Sequence, residues 1–158
     1  MKYLLDSNIC IHFFRGKFGI MDKLNEVGIE NCAISEITLA ELIFGAEKST
    51  NPKKNHQIID QFINQLAILP IFDAIPIYAK EKVRLQNLGR MISDFDLLIG
   101  CTSTENSLIM VTENVNEFEK CVDSLFLRDY LDIYITGSNS YMLSGELATY
   151  LTGRYIQI

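Results

Sequence analysis

The sequence predicts an α/β fold in which helices enclose a small parallel sheet. Short apolar runs, such as residues 3–5 and 108–111, alternate with longer segments whose apolar residues recur at helical spacing. Strands that alternate with helices favour a parallel sheet with right-handed crossovers. The chain has 158 residues, of which 48% are hydrophobic and 22% charged, and this balance is typical of a globular domain with its own core.

Capping and turn-forming residues mark the ends of the predicted elements. Asp6 and Ser35 each follow a short apolar run and favour the N-cap of a helix. Pro52 interrupts the helical pattern, and Gly89 opens a loop that ends at Ser93, where another helix begins. The predicted elements are strands or extended segments at residues 3–5, 32–34, 69–72 and 108–111, and helices over residues 9–14, 36–48, 53–66, 75–88 and from 93 onward.

Composition and charge argue against several classes of protein. The net charge of −6 disfavours binding to nucleic acid by charge alone. No apolar run approaches the ~20 residues of a membrane span, and Asp6 comes too early for a signal peptide, so we expect a cytoplasmic protein without a membrane partner. The cysteines are far apart among apolar neighbours, which predicts buried thiols and not a zinc site. They are Cys10, Cys32, Cys101 and Cys121.

Acidic side chains lie next to the predicted strands, at the edge where parallel sheets bind ligands. Asp6 ends the first strand, Glu41 lies about one turn into the helix after the second, and Asp96 precedes the strand that Asn114 follows. Each acid also fits a helix cap or an exposed helix position. Glu41 and Asp96, however, stand among apolar residues, where a carboxylate needs a partner. Carboxylates brought together repel unless a cation separates them, and oxygen ligands alone favour Mg²⁺ or Mn²⁺.

Four blocks of residues occur in order: MKYLLDSNICI at 1–11, ISEITLAELIFG at 34–45, ISDFDLLIG at 92–100 and LIMVT at 108–112. Together they closely resemble the VapC-type toxins of the PIN-domain family, and the resemblance covers about residues 1–119. It implies a PIN-like three-layer α/β/α fold that is rich in helix. It also implies a Mg²⁺-dependent endoribonuclease of a type II toxin–antitoxin system, with RNA as substrate and with the cognate antitoxin and a second copy of the chain as partners.

The resemblance assigns roles to individual residues. Asp6, Glu41 and Asp96 match the metal-binding acids of the family, which implies that they hold the ion and that an acid acts as base while activated water cleaves the RNA phosphodiester. Ser7 stands where Thr is commoner and Asn8 matches, so both are expected to support the acids.

Two further polar residues are expected to have supporting roles. Asn114 sits where many members of the family have a fourth acid. Asp94 precedes Asp96 by two residues, a separation that points the two side chains apart on a helix, so we expect Asp94 to be the helix cap or an outer group. The basic residues expected near the crevice, as contacts to RNA phosphates or as solvated surface charges, are Arg15, Lys17 and Arg90.

The end of the chain departs from the family pattern. Residues 120–158 resemble an internal piece of bacterial AAA-type ATPases, and the turn at 136–140 is of a kind that can hold phosphate. No G-x-x-x-x-G-K-[ST] loop occurs in the chain, so ATP binding is not expected. We expect an atypical C-terminal extension that supplies a last strand at residues 133–135, or else a remnant that does not join the fold.

This departure leaves a second functional interpretation open. A catalytically impaired PIN-like module could still bind its antitoxin, or a second subunit, through apolar side chains. Those side chains could equally be ordinary core residues. They are Ile11, Phe13, Phe14, Ile43 and Phe44.

Overall fold

A five-stranded sheet lies at the centre of the computed structural model, which describes residues 1–114 and 133–135. The strands are β1 (Tyr3–Leu5), β2 (Cys32–Ser35), β3 (Ala67–Leu69), β4 (Ile109–Thr112) and β5 (Ile133–Ile135). They pair in the order β3-β2-β1-β4-β5, and every pair is parallel. The strand order therefore changes direction at β1, and the carboxyl end of β1 is where sheets of this kind form a ligand crevice.

Six α-helices connect the strands in the described residues. Polar side chains begin several of them: the Ser35 hydroxyl accepts a hydrogen bond from the Thr38 amide at 3.0 Å, and the Asn51 side chain accepts one from the Lys54 amide at 3.2 Å. Pro52 then occupies the first turn, where its missing N–H costs nothing. The helices are α1 (Ser7–Phe14), α2 (Ile20–Val27), α3 (Glu36–Glu47), α4 (Pro52–Ile63), α5 (Ile75–Asn87) and α6 (Asp94–Glu105).

The sheet separates two apolar cores, because successive side chains of a strand point to opposite faces. On β1, Leu4 packs into a core shared with α5 and α6, whereas Leu5 packs into a core shared with α1, α2, α3 and α4. On β4, Met110 joins the first core and Val111 the second. Both faces of the sheet are thus covered by helices. The predicted three-layer α/β/α fold, rich in helix, is confirmed.

Several boundaries differ from those predicted. Helix α1 begins at Ser7, two residues before the predicted start, because Asp6 caps it. Strand β3 lies at Ala67–Leu69, starting two residues before the predicted extended segment at 69–72, and Phe72 already belongs to a tight helical turn at Phe72–Ala74. Helix α2 was not predicted. Its start needs a left-handed residue, which Gly19 supplies at φ +63°.

The remaining sequence predictions concern the thiols and the end of the chain. Cys10, Cys32 and Cys101 are buried, as predicted, and Cys121 lies outside the described residues. None of the helices in the described ranges is long and apolar enough to cross a bilayer. Of residues 120–158, the structure describes the strand β5, which pairs with β4. The phosphate-binding type of turn predicted at 136–140 lies outside the described residues.

Phe62 is expected to be a major source of stability, because it is buried between the helical layer and the sheet. It is 2% exposed, and its ring centroid lies 5.2 Å from that of Phe13 and 5.1 Å from that of Phe14. Phe62→Ala should lower the free energy of unfolding by about 3–5 kcal/mol in urea denaturation. The control Phe72→Ala, at a side chain that is 77% exposed, should change it by no more than about 0.5 kcal/mol. Equal losses in the two variants would contradict this account of the core.

Candidate active site

Asp6 lies at the point where the strand order changes direction. Its amide donates a hydrogen bond to the carbonyl of Val111 at 3.0 Å, so the backbone extends the pairing of β1 with β4 by one residue. Its side chain then caps α1. Although it is a carboxylate, Asp6 is 2% exposed. A buried charge of this kind requires hydrogen-bond donors around it.

Four groups surround the Asp6 carboxylate. The Ser7 amide donates to Oδ1 at 2.7 Å, and the Ser7 hydroxyl lies 3.5 Å from the same oxygen. The Thr112 hydroxyl donates to Oδ2 at 2.6 Å, and the Asn8 side-chain amide donates to Oδ2 at 3.0 Å. The predicted supporting residues Ser7 and Asn8 therefore contact the acid directly. Thr112 was not among the predicted site residues, although a hydroxyl at the end of a buried strand beside Asp6 is a usable signal.

Glu41 approaches the same place from α3. Burial raises its pKa, the nearby Ser7 hydroxyl lowers it in part, and the charge of Asp6 raises it further. Burial also raises the pKa of Asp6, against the lowering effect of its four hydrogen-bonding groups. The two carboxylates are therefore close enough for their charges to interact, and Ser7 lies beside both.

Asp96 and Asp94 lie in the first turn of α6 and have different surroundings. Asp96 is half-buried, and its amide lies 3.5 Å from the Ser93 hydroxyl. Ser93, and not Asp94, caps the helix, so of the two roles expected of Asp94, helix cap or outer group, the first is wrong. Asp94 is exposed and pairs with Lys82 at 2.6 Å, and this ammonium holds the pKa of Asp94 below its usual range. Asp94 therefore links α6 to α5 through a salt bridge at the protein surface.

The residues after β4 form a second polar shell around Asp6. The Asn114 amide donates to the Thr112 hydroxyl at 3.0 Å, so the backbone of Asn114 supports the site. The Glu113 amide donates to the Asn8 side chain at 3.2 Å, and the Glu113 carboxylate contacts Nε2 of His12. Sequence reasoning missed both Glu113 and His12, because their contact joins positions about a hundred residues apart.

The predicted basic residues lie in different places. Arg15 and Glu41 line the same groove, a cavity of about 280 Å³ between α1, α3 and α4. Lys17 is exposed in the turn after α1. Arg90 instead lines a cavity of about 290 Å³ with Lys82 and Asp94, between α5 and α6. The structure thus brings Arg15 to the groove that contains an acid of the site.

The apolar residues considered as a docking surface divide in two groups. Phe13 and Phe14 are partly buried against the core. Ile11, Ile43 and Phe44 are exposed.

The site offers carboxylate oxygens, which are the ligands that a hard divalent cation prefers. Within the described ranges, no three or more His, Cys, Asp or Glu side chains lie together so that they could hold a metal ion. Mg²⁺ is commonly bound by one or two carboxylates, with water and substrate phosphates completing its shell. The pair of Asp6 and Glu41, whose pKa values are raised chiefly by burial, therefore fits such an ion.

The hydroxyl of Thr112 is expected to stabilise the buried charge of Asp6. Thr112→Val removes the 2.6 Å hydrogen bond to Asp6 and also the acceptor of the Asn114 amide, and it should lower the free energy of unfolding by about 1.5–3 kcal/mol, the range for hydrogen bonds to charged groups. Thr104→Val is the matched control, because the Thr104 hydroxyl bonds only the Gly100 carbonyl one turn earlier in α6. The control should cost about 0.5 kcal/mol or less in the same denaturation experiment. A similar cost for both would show that the Asp6 contact is of no special value.

The raised pKa of Glu41 predicts how stability changes with pH in metal-free protein. Since the folded pKa lies above the ordinary value of 4.5, the ionised carboxylate is less favourable in the folded than in the unfolded chain. This cost is complete above the folded pKa and disappears as the pH falls through it toward 4.5. Glu41→Gln should therefore raise the free energy of unfolding at pH 7 in EDTA.

The gain from Glu41→Gln should shrink as the pH falls, whereas Glu105→Gln, at an exposed position near the end of α6, should show no such trend. Urea denaturation of both variants from pH 7 downward measures the difference. A gain that stays constant with pH would contradict the assignment.

Known proteins resemble this chain in both sequence and fold. The PIN-domain family model matches residues 3–121. Ribonuclease VapC2 of Haemophilus influenzae is 35% identical over 127 residues, which cover 77% of this chain and 93% of that protein. The tRNA(fMet)-specific endonuclease VapC of Shigella flexneri is 34% identical over 122 residues, which cover 76% and 92% of the two chains.

Solved structures agree with these relatives. VapBC2 of Rickettsia felis, bound to a DNA fragment from its promoter, superposes with a TM-score of 0.71 at 30% identity over 76% of this chain and 92% of that chain. DNA-bound VapBC of Salmonella typhimurium has a TM-score of 0.70 at 32% identity over 75% and 91%. The matched residues 3–121 include the four sequence blocks. The resemblance of residues 120–158 to ATPases stays a prediction. The chain belongs to the PIN-domain family, with VapC ribonucleases among its relatives.

Proposed function

We propose that this chain is a divalent-metal-dependent endoribonuclease, the VapC-type toxin of a toxin–antitoxin pair. The observation that carries the proposal is the buried Asp6 carboxylate, which lies at the carboxyl end of β1 beside Glu41. The relatives in Haemophilus influenzae and Shigella flexneri are named as ribonucleases, the latter specific for tRNA(fMet). These names support RNA as the class of substrate.

Asp6 and Glu41 would hold Mg²⁺, or Mn²⁺ in its place, and Asp96 would join them only by turning toward the pair, since the three carboxylates do not lie together in the described residues. When bound, the ion supplies the positive charge that activates water and stabilises the anionic phosphate during hydrolysis. Asp6 and Glu41 supply oxygen ligands from β1 and α3, and Asp96 would add one from the first turn of α6. The site uses no nitrogen or sulfur ligand, which suits these ions.

Other residues of the site would orient the Asp6 carboxylate and accept the proton of the attacking water. Asn8 and Thr112 both donate to Oδ2 of Asp6, and the Ser7 amide donates to Oδ1, so the carboxylate is held in one orientation. A fixed ligand reduces the reorganisation needed when substrate binds. Glu41 is half-buried on the groove, where its carboxylate can meet an attacking water and accept its proton.

Local charge would guide RNA to the site despite the overall charge of −6. Arg15 shares the groove with Glu41, and Lys17 follows it in the exposed turn after α1. These two side chains are the proposed contacts to the RNA phosphates. Arg90, which lies with Asp94 on the α5–α6 side, would contact RNA farther along the strand.

An antitoxin is the proposed protein partner. The solved structures that resemble this chain include the VapBC complexes of Rickettsia felis and Salmonella typhimurium. In this chain Ile11, Ile43 and Phe44 are exposed apolar side chains on α1 and α3, next to the groove that contains Glu41. We assign this face to the antitoxin or to a second copy of the chain.

Cleavage of RNA by the purified full chain tests the proposal. With Mg²⁺ present, Asp6→Asn and Asp96→Asn should each reduce the cleavage rate about a hundredfold or more, since each removes a charged ligand of the ion. Asp94→Asn is the matched control, because Asp94 lies in the same turn of α6 but pairs with Lys82 at the surface. Its rate should change by less than about threefold.

EDTA should abolish cleavage by the parent protein, and added Mg²⁺ or Mn²⁺ should restore it. Full activity in Asp6→Asn or Asp96→Asn would show that the site is elsewhere. A parent protein that binds its antitoxin but never cleaves RNA would favour the impaired binding module instead.

A further inference from the structure

We propose that His12 is a positioning residue that ties the loop after α1, residues 15–19, to the Asp6 site. The inference rests on the proposed ribonuclease function, because it concerns how RNA meets the acids. The loop carries Arg15, which lines the groove with Glu41, and Lys17. His12 contacts a side chain that follows β4 on one side and the loop on the other.

Towards the site, His12 is the outer member of a chain of hydrogen bonds. Nε2 of His12 contacts the carboxylate of Glu113. The Glu113 amide donates to Oδ1 of Asn8 at 3.2 Å, and Nδ2 of Asn8 donates to Oδ2 of Asp6 at 3.0 Å. Asn8 and His12 are four residues apart on α1 and so lie on the same face of the helix. His12 therefore fixes Glu113 against the residue that orients Asp6.

Towards the loop, His12 is the inner member of a second set of contacts. The ring of Phe18 packs edge-on against the imidazole with 4.7 Å between centroids, and the Lys17 amide donates to the His12 carbonyl at 2.9 Å. Phe18 has a φ of +56°, which is unfavourable for a residue with a large side chain. A conformation of this kind persists where surrounding contacts hold it, and the His12 ring is one such contact.

The surroundings of the two ring nitrogens indicate which of them carries the proton when the His12 ring is neutral. Nδ1 is buried and has no hydrogen-bond partner among the described residues, whereas Nε2 meets Glu113. A buried N–H without an acceptor is costly, so the proton of the neutral ring belongs on Nε2, which donates to Glu113. The His12 side chain is 15% exposed, so little water competes for this contact.

These contacts give His12 a function beyond stability. Without the imidazole, Phe18 and Glu113 would lose their common contact, and the loop that carries the side chains of Arg15 and Lys17 would be held only by its backbone bonds to α1. Misplacement of positioning groups lowers the rate even when every catalytic group remains. The imidazole touches neither of the carboxylates at the site, and it acts through Glu113, Asn8 and Phe18.

The test compares cleavage kinetics and RNA binding for His12→Ala, Glu113→Ala and the double variant of the full chain. Each single variant should lower kcat/KM about 10- to 30-fold, and the double variant should lower it no more than the worse single one, because both break the same contact. Glu113→Gln keeps an oxygen acceptor for His12 and should stay within about threefold of the parent. A role in stability alone would not produce this rescue in protein that is equally folded by circular dichroism.

His56→Ala is the matched control. His56 pairs with Glu47 at 2.9 Å between α4 and α3, at an exposed position outside the hydrogen-bond chain to Asp6. Its kcat/KM should match that of the parent protein.

RNA binding is measured in EDTA by fluorescence anisotropy, so this arm does not depend on catalysis. His12→Ala should weaken binding about 3- to 10-fold through displacement of the loop cations, whereas His56→Ala should not. Parent-like kinetics and binding in His12→Ala, additive losses in the double variant, or a Glu113→Gln as impaired as Glu113→Ala would each overturn the inference. If the parent protein cleaves no RNA, the proposed function fails, and the binding arm alone decides the role of His12.

Discussion

The burial of the Asp6 carboxylate is the constraint on which the rest of the site depends. One side chain ends β1, caps α1 and accepts a hydrogen bond from Thr112 at the end of β4. The first strand, the first helix and the fourth strand therefore meet at a single pair of oxygens. Because the strand order changes direction at β1, this meeting point coincides with the crevice that the topology opens.

Burying the ionised Asp6 carboxylate costs free energy, and the surrounding hydrogen-bond donors lower this cost without removing it. Hydrogen bonds from Ser7, Asn8 and Thr112 lower the pKa of Asp6, but burial raises it more. Glu41 adds a second carboxylate to the same field. A fold selected for stability alone would have little reason to place two acids together here. The cation site proposed above would give the arrangement its reason, since a bound cation would stabilise both ionised forms.

The sequence was informative wherever a local rule decided the outcome. Asp6 and Ser35 could be recognised as helix caps at the ends of apolar runs, and the alternation of strands and helices indicated a parallel sheet with helices on both faces. The short helix α2 was missed although its two buried residues, Ile20 and Leu24, stand four positions apart, which is a helical spacing. The sequence left Asp94 as either a helix cap or an outer group, because Lys82, the residue that pairs with it, lies on another helix.

Contacts between distant parts of the chain explain what remained hidden in the site. Thr112 and Asp6 are 106 positions apart, and Glu113 and His12 are 101 positions apart. No local spacing predicts such pairs. They follow from the parallel pairing of β1 with β4, which places the residues after both strands side by side. Strand order therefore had to be known before this shell could be described.

The most direct measurement of the central claim is an anomalous-scattering map from crystals of the full chain grown with Mn²⁺. The account predicts an ion with carboxylate oxygens of Asp6 and Glu41 within about 2.5 Å, and with Asp96 turned toward it. An ion bound elsewhere in the crystal, with Asp6 and Glu41 touching none, would contradict the account.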